Sequence, residues 1–218
     1  MPSVLRLYED VLRNDAEVSL PARPRMIFVV HGAIATSDRT LRDDEGLGSE
    51  SAMSFAGAHE GATVWRWELT TDADGGLAAG AGITSREKLS ARLDTMPKGA
   101  VLLRGDSVAF PPGGCAYLHR HQGPGIRCLV DGGIRIDTKG QSTSYGPGGA
   151  WFESGPDPVF AQAAADRPTR FIRAMILPMA YLARSSVEYL NEEDKPKPKT
   201  QTYKIYVDMP IDIVHTPA

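Results

Sequence analysis

The chain is 218 residues long, carries a formal net charge of -3 and is 23% charged, with no basic run of the kind that tracks a phosphate backbone. That balance excludes nucleic acid as an expected partner, and the length fits one large β domain or two small ones with a proper core. No stretch approaches the ~20 apolar residues of a membrane helix and no leader pattern opens the chain, so no membrane association and a cytoplasmic location are expected. Cys115 and Cys128 are the only cysteines and make no disulfide framework. The 22 glycines and 16 prolines are scattered between short apolar runs, which signals many turns between many short strands.

Val4, Leu5, Leu7, Tyr8, Val11 and Leu12 stand at helical spacing and predict a short amphipathic helix over residues 3–12. Met26 to Val30 reads as a buried strand, and Ala62 to Leu69 as a second, alternating one. Ser85 to Leu93 predicts another short helix. Val29-Val-His-Gly-Ala-Ile34 is echoed one hundred residues later by Leu129-Val-Asp-Gly-Gly-Ile134, and Val64 to Leu69 by Phe171 to Leu177. Such an echo suggests a duplicated β unit, with coincidence between apolar runs as the alternative. Ala100 to Leu103 and Ser107 to Phe110 are expected as strands around a Gly105-Asp106 turn. Further strands are expected at Gly132 to Ile136, Trp151-Phe152 and Phe171 to Leu177. Met179 to Leu190 is expected to be helical. Glu192 to Lys199 is a charged, proline-studded linker, and Tyr203 to Val207 a strand that must find a sheet edge on its own barrel or a neighbour's.

The densest chemistry lies in Gly114-Cys-Ala-Tyr-Leu-His-Arg-His-Gln-Gly-Pro-Gly-Ile-Arg-Cys-Leu-Val-Asp-Gly132. His119 and His121 alternate on one strand, so both rings leave the same face. Imidazole suits zinc, copper, iron and nickel, and the strand period sets two donors side by side. By the same parity Cys115 and Tyr117 should point inward, and on the next strand Arg127 and Leu129. A buried guanidinium must be paired or face an anion. Two roles are therefore open to Arg127, a substrate carboxylate or a structural salt bridge to Glu153 or Asp157.

This run resembles the first signature of the cupin superfamily, and Tyr145-Gly-Pro-Gly-Gly-Ala-Trp-Phe-Glu-Ser-Gly-Pro-Asp-Pro-Val-Phe160 resembles a weakened second one. The wording is similar to the branch of acetylacetone-cleaving and dihydroxyacetophenone dioxygenase-like enzymes. The resemblance implies an all-β double-stranded β-helix with short helical extensions, its barrel at residues 100–178. Residues 1–99 would then be a helix and β extension or degenerate cupin half, and 179–218 a C-terminal helix, linker and edge strand. It also implies a divalent transition metal, Fe2+ first and Zn2+, Ni2+ or Mn2+ as alternatives. Three histidines hold the metal in that branch; here the third falls on Val159, and the acidic residue after His-x-His falls at Gly125 or Ile126. Glu153, which stands near the metal in the family, is thereby the expected third ligand beside His119 and His121.

The function expected from these residues is a metal-dependent, dioxygenase-like enzyme for a small diketone, hydroxyketone or carboxylate. Glu153 is ligand or base, and Arg127 or Tyr117 orients the substrate. The alternatives are a non-catalytic small-molecule-binding cupin without metal, and a metal-free isomerase using His119 as base. A homodimer is expected, because jelly rolls of this class leave sheet edges open.

Overall fold

A computed structural model describes residues 3–71 and 75–212. Chain packing divides it into two compact units, Met1–Asp94 with Ile211–Ala218, and Thr95–Pro210. Apart from two three-residue 3-10 turns, the regular structure of the described residues is strand, and the fold is an all-β jelly roll.

The first unit contains β1 (Ser3–Leu12), β2 (Glu17–Leu20), β3 (Arg25–Thr36), β4 (Thr40–Arg42), β5 (Gly46–Ser49), β6 (Met53–Thr71) and β7 (Ile83–Arg92). They form one sheet in the order β4-β3-β6-β1-β7, with β2 added to β6 and β5 to β3. Both helices expected here are strands. β1 pairs with β6 from Ser3↔Thr71 to Leu12↔Ala62 and with β7 on its other side. A strand buried on both faces carries a near-continuous apolar run, which imitates helical spacing. The segment Ser85 to Leu93 lies mostly in β7, where the ladder to β1 overrides local helix preference.

The second unit contains β8 (Val101–Phe110), β9 (Cys115–His121), β10 (Gly125–Asp131), β11 (Ile134–Thr138), β12 (Gln141–Tyr145), β13 (Ala150–Glu153), β14 (Val159–Ala163), β15 (Thr169–Pro178), β16 (Val187–Tyr189) and β17 (Thr202–Ile211). They build two five-stranded sheets, β13-β10-β15-β8-β17 and β12-β11-β14-β9-β16. The expected turn at Gly105-Asp106 is absent. β8 runs straight through it, because β15 pairs with β8 along its whole length and Asp106 meets Arg173 directly across the ladder. The expected helix over Met179 to Leu190 is a 3-10 turn, Met179–Tyr181, followed by β16. Met179 and Tyr181 pack on Leu102, Met175 and Leu177, and β16 pairs with the His-x-His strand. β17 pairs with β8 of its own barrel, at the edge of that sheet.

The internal echo has a structural counterpart. β3 pairs with β6 at Val29↔Val64, and β10 pairs with β15 at Leu129↔Phe171. Gly32 and Gly132 follow those strand positions with φ of +83° and +85°. A Cβ at either would meet a backbone carbonyl, Gly61 O at 2.2 Å or Pro168 O at 2.3 Å, so both require glycine.

Candidate metal and ligand site

The barrel interior is packed by Val108, Phe110, Leu129, Ile134, Trp151, Val159 and Phe171, and the site sits at one end of that core. Two features of the sheets place it. The first is a polar row across the floor, where Trp151, Arg127, Arg173 and Asp106 stand in register on β13, β10, β15 and β8. The second is a bulge in β9. Val159 faces His119 and Ala161 faces Ala116, so three residues of β9 span two of β14. An inserted residue reverses strand parity beyond it.

The bulge corrects the expected orientation of Tyr117. Ala116, not Tyr117, lines the cavity with His119 and His121. The Tyr117 ring instead lies beneath the ammonium groups of Lys197 and Lys199, each 5.1 Å from its centroid. Its backbone carbonyl still touches the site, 2.7 Å from His119 Nδ1. A carbonyl only accepts, so Nδ1 of His119 carries the proton and Nε2 holds a lone pair.

That lone pair lies 3.2 Å from His121 Nε2, which is itself 3.2 Å from Glu153 Oε2. Glu153 stands directly across from Gly125, one of the two positions that lack the expected acid, so the carboxylate arrives from the neighbouring strand. Its Oε1 accepts from Trp151 Nε1 at 2.8 Å, and Oε2 lies 2.7 Å from Arg127 Nη2. Arg127 also donates to the Gly125 carbonyl at 2.6 Å. Of the two roles open to Arg127, the ion pair with Glu153 is the one it plays here. The second ion pair of the row joins Arg173 to Asp106, at 2.6 and 2.9 Å.

Burial governs the charge states. It lowers the pKa of His119 and takes that of His121 down to about 3, so both imidazoles are neutral near pH 7. Burial also brings Arg127 down to about 10, against the pull of Glu153. Burial alone would raise the Glu153 carboxyl; Arg127 first, then His121, outweigh it and hold the group well below the usual carboxylate range.

Two ligands bound cis at about 2.1 Å from an ion lie roughly 3.0–3.4 Å apart. The separations from His119 to His121 and from His121 to Glu153 have that value, and the fixed His119 tautomer presents the correct lone pair. One buried atom of the set, His121 Nδ1, lacks a hydrogen-bond partner among the described residues, while Glu153 Oε2 is held by its ion pair with Arg127. The donor chemistry therefore fits an ion on the imidazole pair. The three donors form a chain rather than a cage, and among the described residues no three His, Cys, Asp or Glu side chains group so that together they could hold a metal ion. The third histidine position, Val159, contributes only methyl groups opposite His119.

Other candidates lie elsewhere. Asp157 pairs with Lys139 at 2.8 Å and Gln122 donates to Glu188 at 3.0 Å, both on the surface. Tyr145 stacks on Trp151 at 4.9 Å. Cys115 is half-buried and Cys128 buried, both free thiols. His31 and His59 are exposed, and His215 lies outside the described residues. Sequence reasoning missed Arg173, Val187, Gln201 and Tyr203, which line the cavity with the histidines, and Asp106, which lines a neighbouring pocket with Arg173. A lone arginine inside Phe171-Ile-Arg-Ala-Met-Ile-Leu177 was the available signal for Arg173; Gln201 carried none.

No family model matches the sequence, and no curated protein matches it. The fold does have solved neighbours. Oxalate decarboxylase of Lactobacillus farciminis in complex with formate aligns at TM-score 0.65 and 11% identity, over 88% of this chain and 82% of that one. Bacillus subtilis oxalate decarboxylase, described by its Mn(II) centres, aligns at TM-score 0.61 and 11% identity, over 91% and 81%. AerE of Microcystis aeruginosa aligns at TM-score 0.58 and 12% identity, over 82% and 89%. These structures are cupin-domain proteins. The chain has a cupin fold. At such identities the likeness extends to the fold alone.

Proposed function

We propose that the chain is a metal-dependent cupin enzyme for a small oxygenated organic molecule, with His119 and His121 as its nitrogen ligands. One observation carries the reading. His119 Nε2 and His121 Nε2 are 3.2 Å apart in a buried site while His119 Nδ1 is committed to a backbone carbonyl. With the His121 proton on Nδ1, two imidazole lone pairs face each other, which a cation relieves, and the Glu153 oxygen stands 3.2 Å from the second of them. When bound, the ion would act as a Lewis acid on a substrate carbonyl, hydroxyl or carboxylate oxygen. Glu153 would complete the ligand set or take a substrate proton, with Arg127 fixing its position and keeping it ionised. Iron would admit dioxygenase-like chemistry; manganese, zinc or nickel would suit isomerisation or C–C cleavage. Tyr117 has no part in this reading.

Elemental analysis of the purified full chain tests it. One equivalent of a divalent transition metal is expected, lost in His121→Ala and weakened about tenfold, on the order of 1.4 kcal/mol, in Glu153→Gln. A wild-type protein that carries no metal and gains none from iron, manganese, zinc or nickel overturns the reading.

A second reading rests on the 2.7 Å contact between Arg127 and Glu153. A guanidinium already neutralises Glu153, the only carboxylate among the described residues that line the cavity with the imidazoles, as an ion would. In that case the barrel is a metal-free binding module, and apo protein binds its ligand undiminished after chelation.

A further inference from the structure

Beyond the imidazoles and Glu153, one more residue of the same cavity carries a polar atom that the fold leaves unused. Gln201 is buried, with 7% of its surface exposed, at the point where the C-terminal segment enters β17. Its Nε2 donates to the hydroxyls of Tyr189 at 2.8 Å and Tyr203 at 3.2 Å. Its Oε1 has no hydrogen-bond partner among the described residues. Gln201 lines the cavity together with His119, His121, Arg127, Glu153 and Tyr203. The two tyrosines take both amide hydrogens, which leaves Oε1 as the unused acceptor of a residue that lines the cavity. A buried carbonyl without a donor is costly, and a group in the cavity that brings an O–H removes the cost.

The cavity volume, about 20 Å³, decides the size of that group. Roughly 10–15 Å³ suffices for one water, so a single hydroxyl or water fits and a whole organic molecule does not. Of the charged side chains that line it, Glu153 is paired with Arg127, and Arg173 is paired with Asp106, which stands outside the lining. A neutral hydroxyl therefore suits the site better than an anion. A larger pocket of about 230 Å³ shares Arg173, Val187 and Tyr203 with the cavity, and it gives the body of a ligand a place beside that wall.

We propose that Gln201 is the positioning residue for a neutral, hydroxyl-bearing ligand, its Oε1 accepting a hydrogen bond from the hydroxyl seated beside His121 and Glu153. The assignment names the substrate class of the proposed enzyme but needs no ion, so its failure is separable from that of the metal reading.

The test is a titration of chelator-treated full-length protein with hydroxyacetone and with acetone, two neutral probes that differ by the hydroxyl, followed by calorimetry or NMR shifts. Hydroxyacetone is expected to bind about tenfold tighter or more, because a site built to accept a hydrogen bond rejects the analogue lacking it. Gln201→Met should bring the two affinities together, and Gln201→Glu, which keeps the acceptor, should preserve the preference. Equal affinities in the wild type, a preference that survives Gln201→Met, or no binding of either probe overturns the assignment. Should Gln201→Met fail to melt cooperatively, a high-resolution crystal structure of the wild type decides. An oxygen about 2.6–3.2 Å from Oε1 inside the cavity supports it. An empty cavity, or an amide turned with its oxygen toward Tyr189 and Tyr203, overturns it.

Discussion

Both units of the chain bury arginines and carboxylates, and they treat them differently. In the first unit Arg25 bonds Glu68 at 3.0 Å, Arg66 bonds Glu68 at 3.0 Å and Asp10 at 2.8 Å, and Ser85 donates to the other Asp10 oxygen. Two guanidiniums and two carboxylates cancel, the Arg66 head lies 4.3 Å from the Tyr8 ring centroid, and no buried atom of the group lacks a hydrogen-bond partner. In the barrel Arg127 pairs with Glu153 and Arg173 with Asp106, again with zero net charge. Yet His121 Nδ1 and Gln201 Oε1, both on residues of the barrel cavity, lack hydrogen-bond partners among the described residues, and Glu153 Oε2 has its ion pair with Arg127 in place of one. A closed polar network rigidifies a fold; an open one with the same charges is a place where something else is meant to bind.

The comparison predicts its own largest perturbation. Arg66→Met strands Asp10 and Glu68 in the core and should cost about 3–5 kcal/mol, read from denaturant unfolding of the full chain. A loss below about 1 kcal/mol would mean the first network is not the closed structural unit it is drawn as. Arg127→Met in the barrel should cost about 3 kcal/mol in chelator-treated protein, since it leaves Glu153 buried and unpaired. Here the two regions should part, because zinc or manganese ought to restore the melting temperature of Arg127→Met but not that of Arg66→Met. No differential rescue would make the barrel network as closed as the other.

Val159→His sharpens the contrast further by placing an imidazole opposite His119. It should tighten ion retention about tenfold or more, equivalent to 1.4 kcal/mol, while overpacking lowers stability by about 1–3 kcal/mol. Metal content after dialysis and thermal melting read the two effects separately. The smallest effect is expected on the outer face, where the Lys199 ammonium lies 4.2 Å from the Tyr189 ring and 5.1 Å from Tyr117. Lys199→Met should cost about 0.5–1 kcal/mol and leave metal content unchanged.

The imidazole pair was legible from the spacing of His119 and His121, because it depends on local strand geometry, and Glu153 only through the resemblance to the second signature, because it reaches the pair across the β10–β13 ladder. Tyr117 was misplaced because a bulge is a property of two strands, and only the β9–β14 register reveals it. β1 was read as a helix because double-sided burial erases the period-two pattern, and the segment around Ser85 because only its ladder to β1 makes it a strand. Polar β12, Gln141–Tyr145, offered no apolar alternation to detect. Asp106 and Arg173 lie far apart in sequence and meet only through the ladder of β8 and β15. Gln201 follows a lysine- and proline-rich stretch that reads as a linker, yet Asp194 within it is buried and binds Lys197 at 2.7 Å.

The boundary between the units gives the C-terminal strand a second meaning. The chain leaves the first unit after Asp94 and returns to it at Ile211, where the Asp212 amide donates to Glu50 at 2.8 Å. In genetic terms the barrel is a guest, residues 95–210 spliced into a host that resumes on its far side. Both ends of the guest are therefore tethered to the host chain, and the segment carrying Val187, Gln201 and Tyr203 is the returning tether. A deletion placed after Pro178, where a minimal barrel would stop, removes a cavity wall from the guest and the last residues of the host with one cut. Clean excision of the guest requires two cuts, at 94/95 and at 210/211.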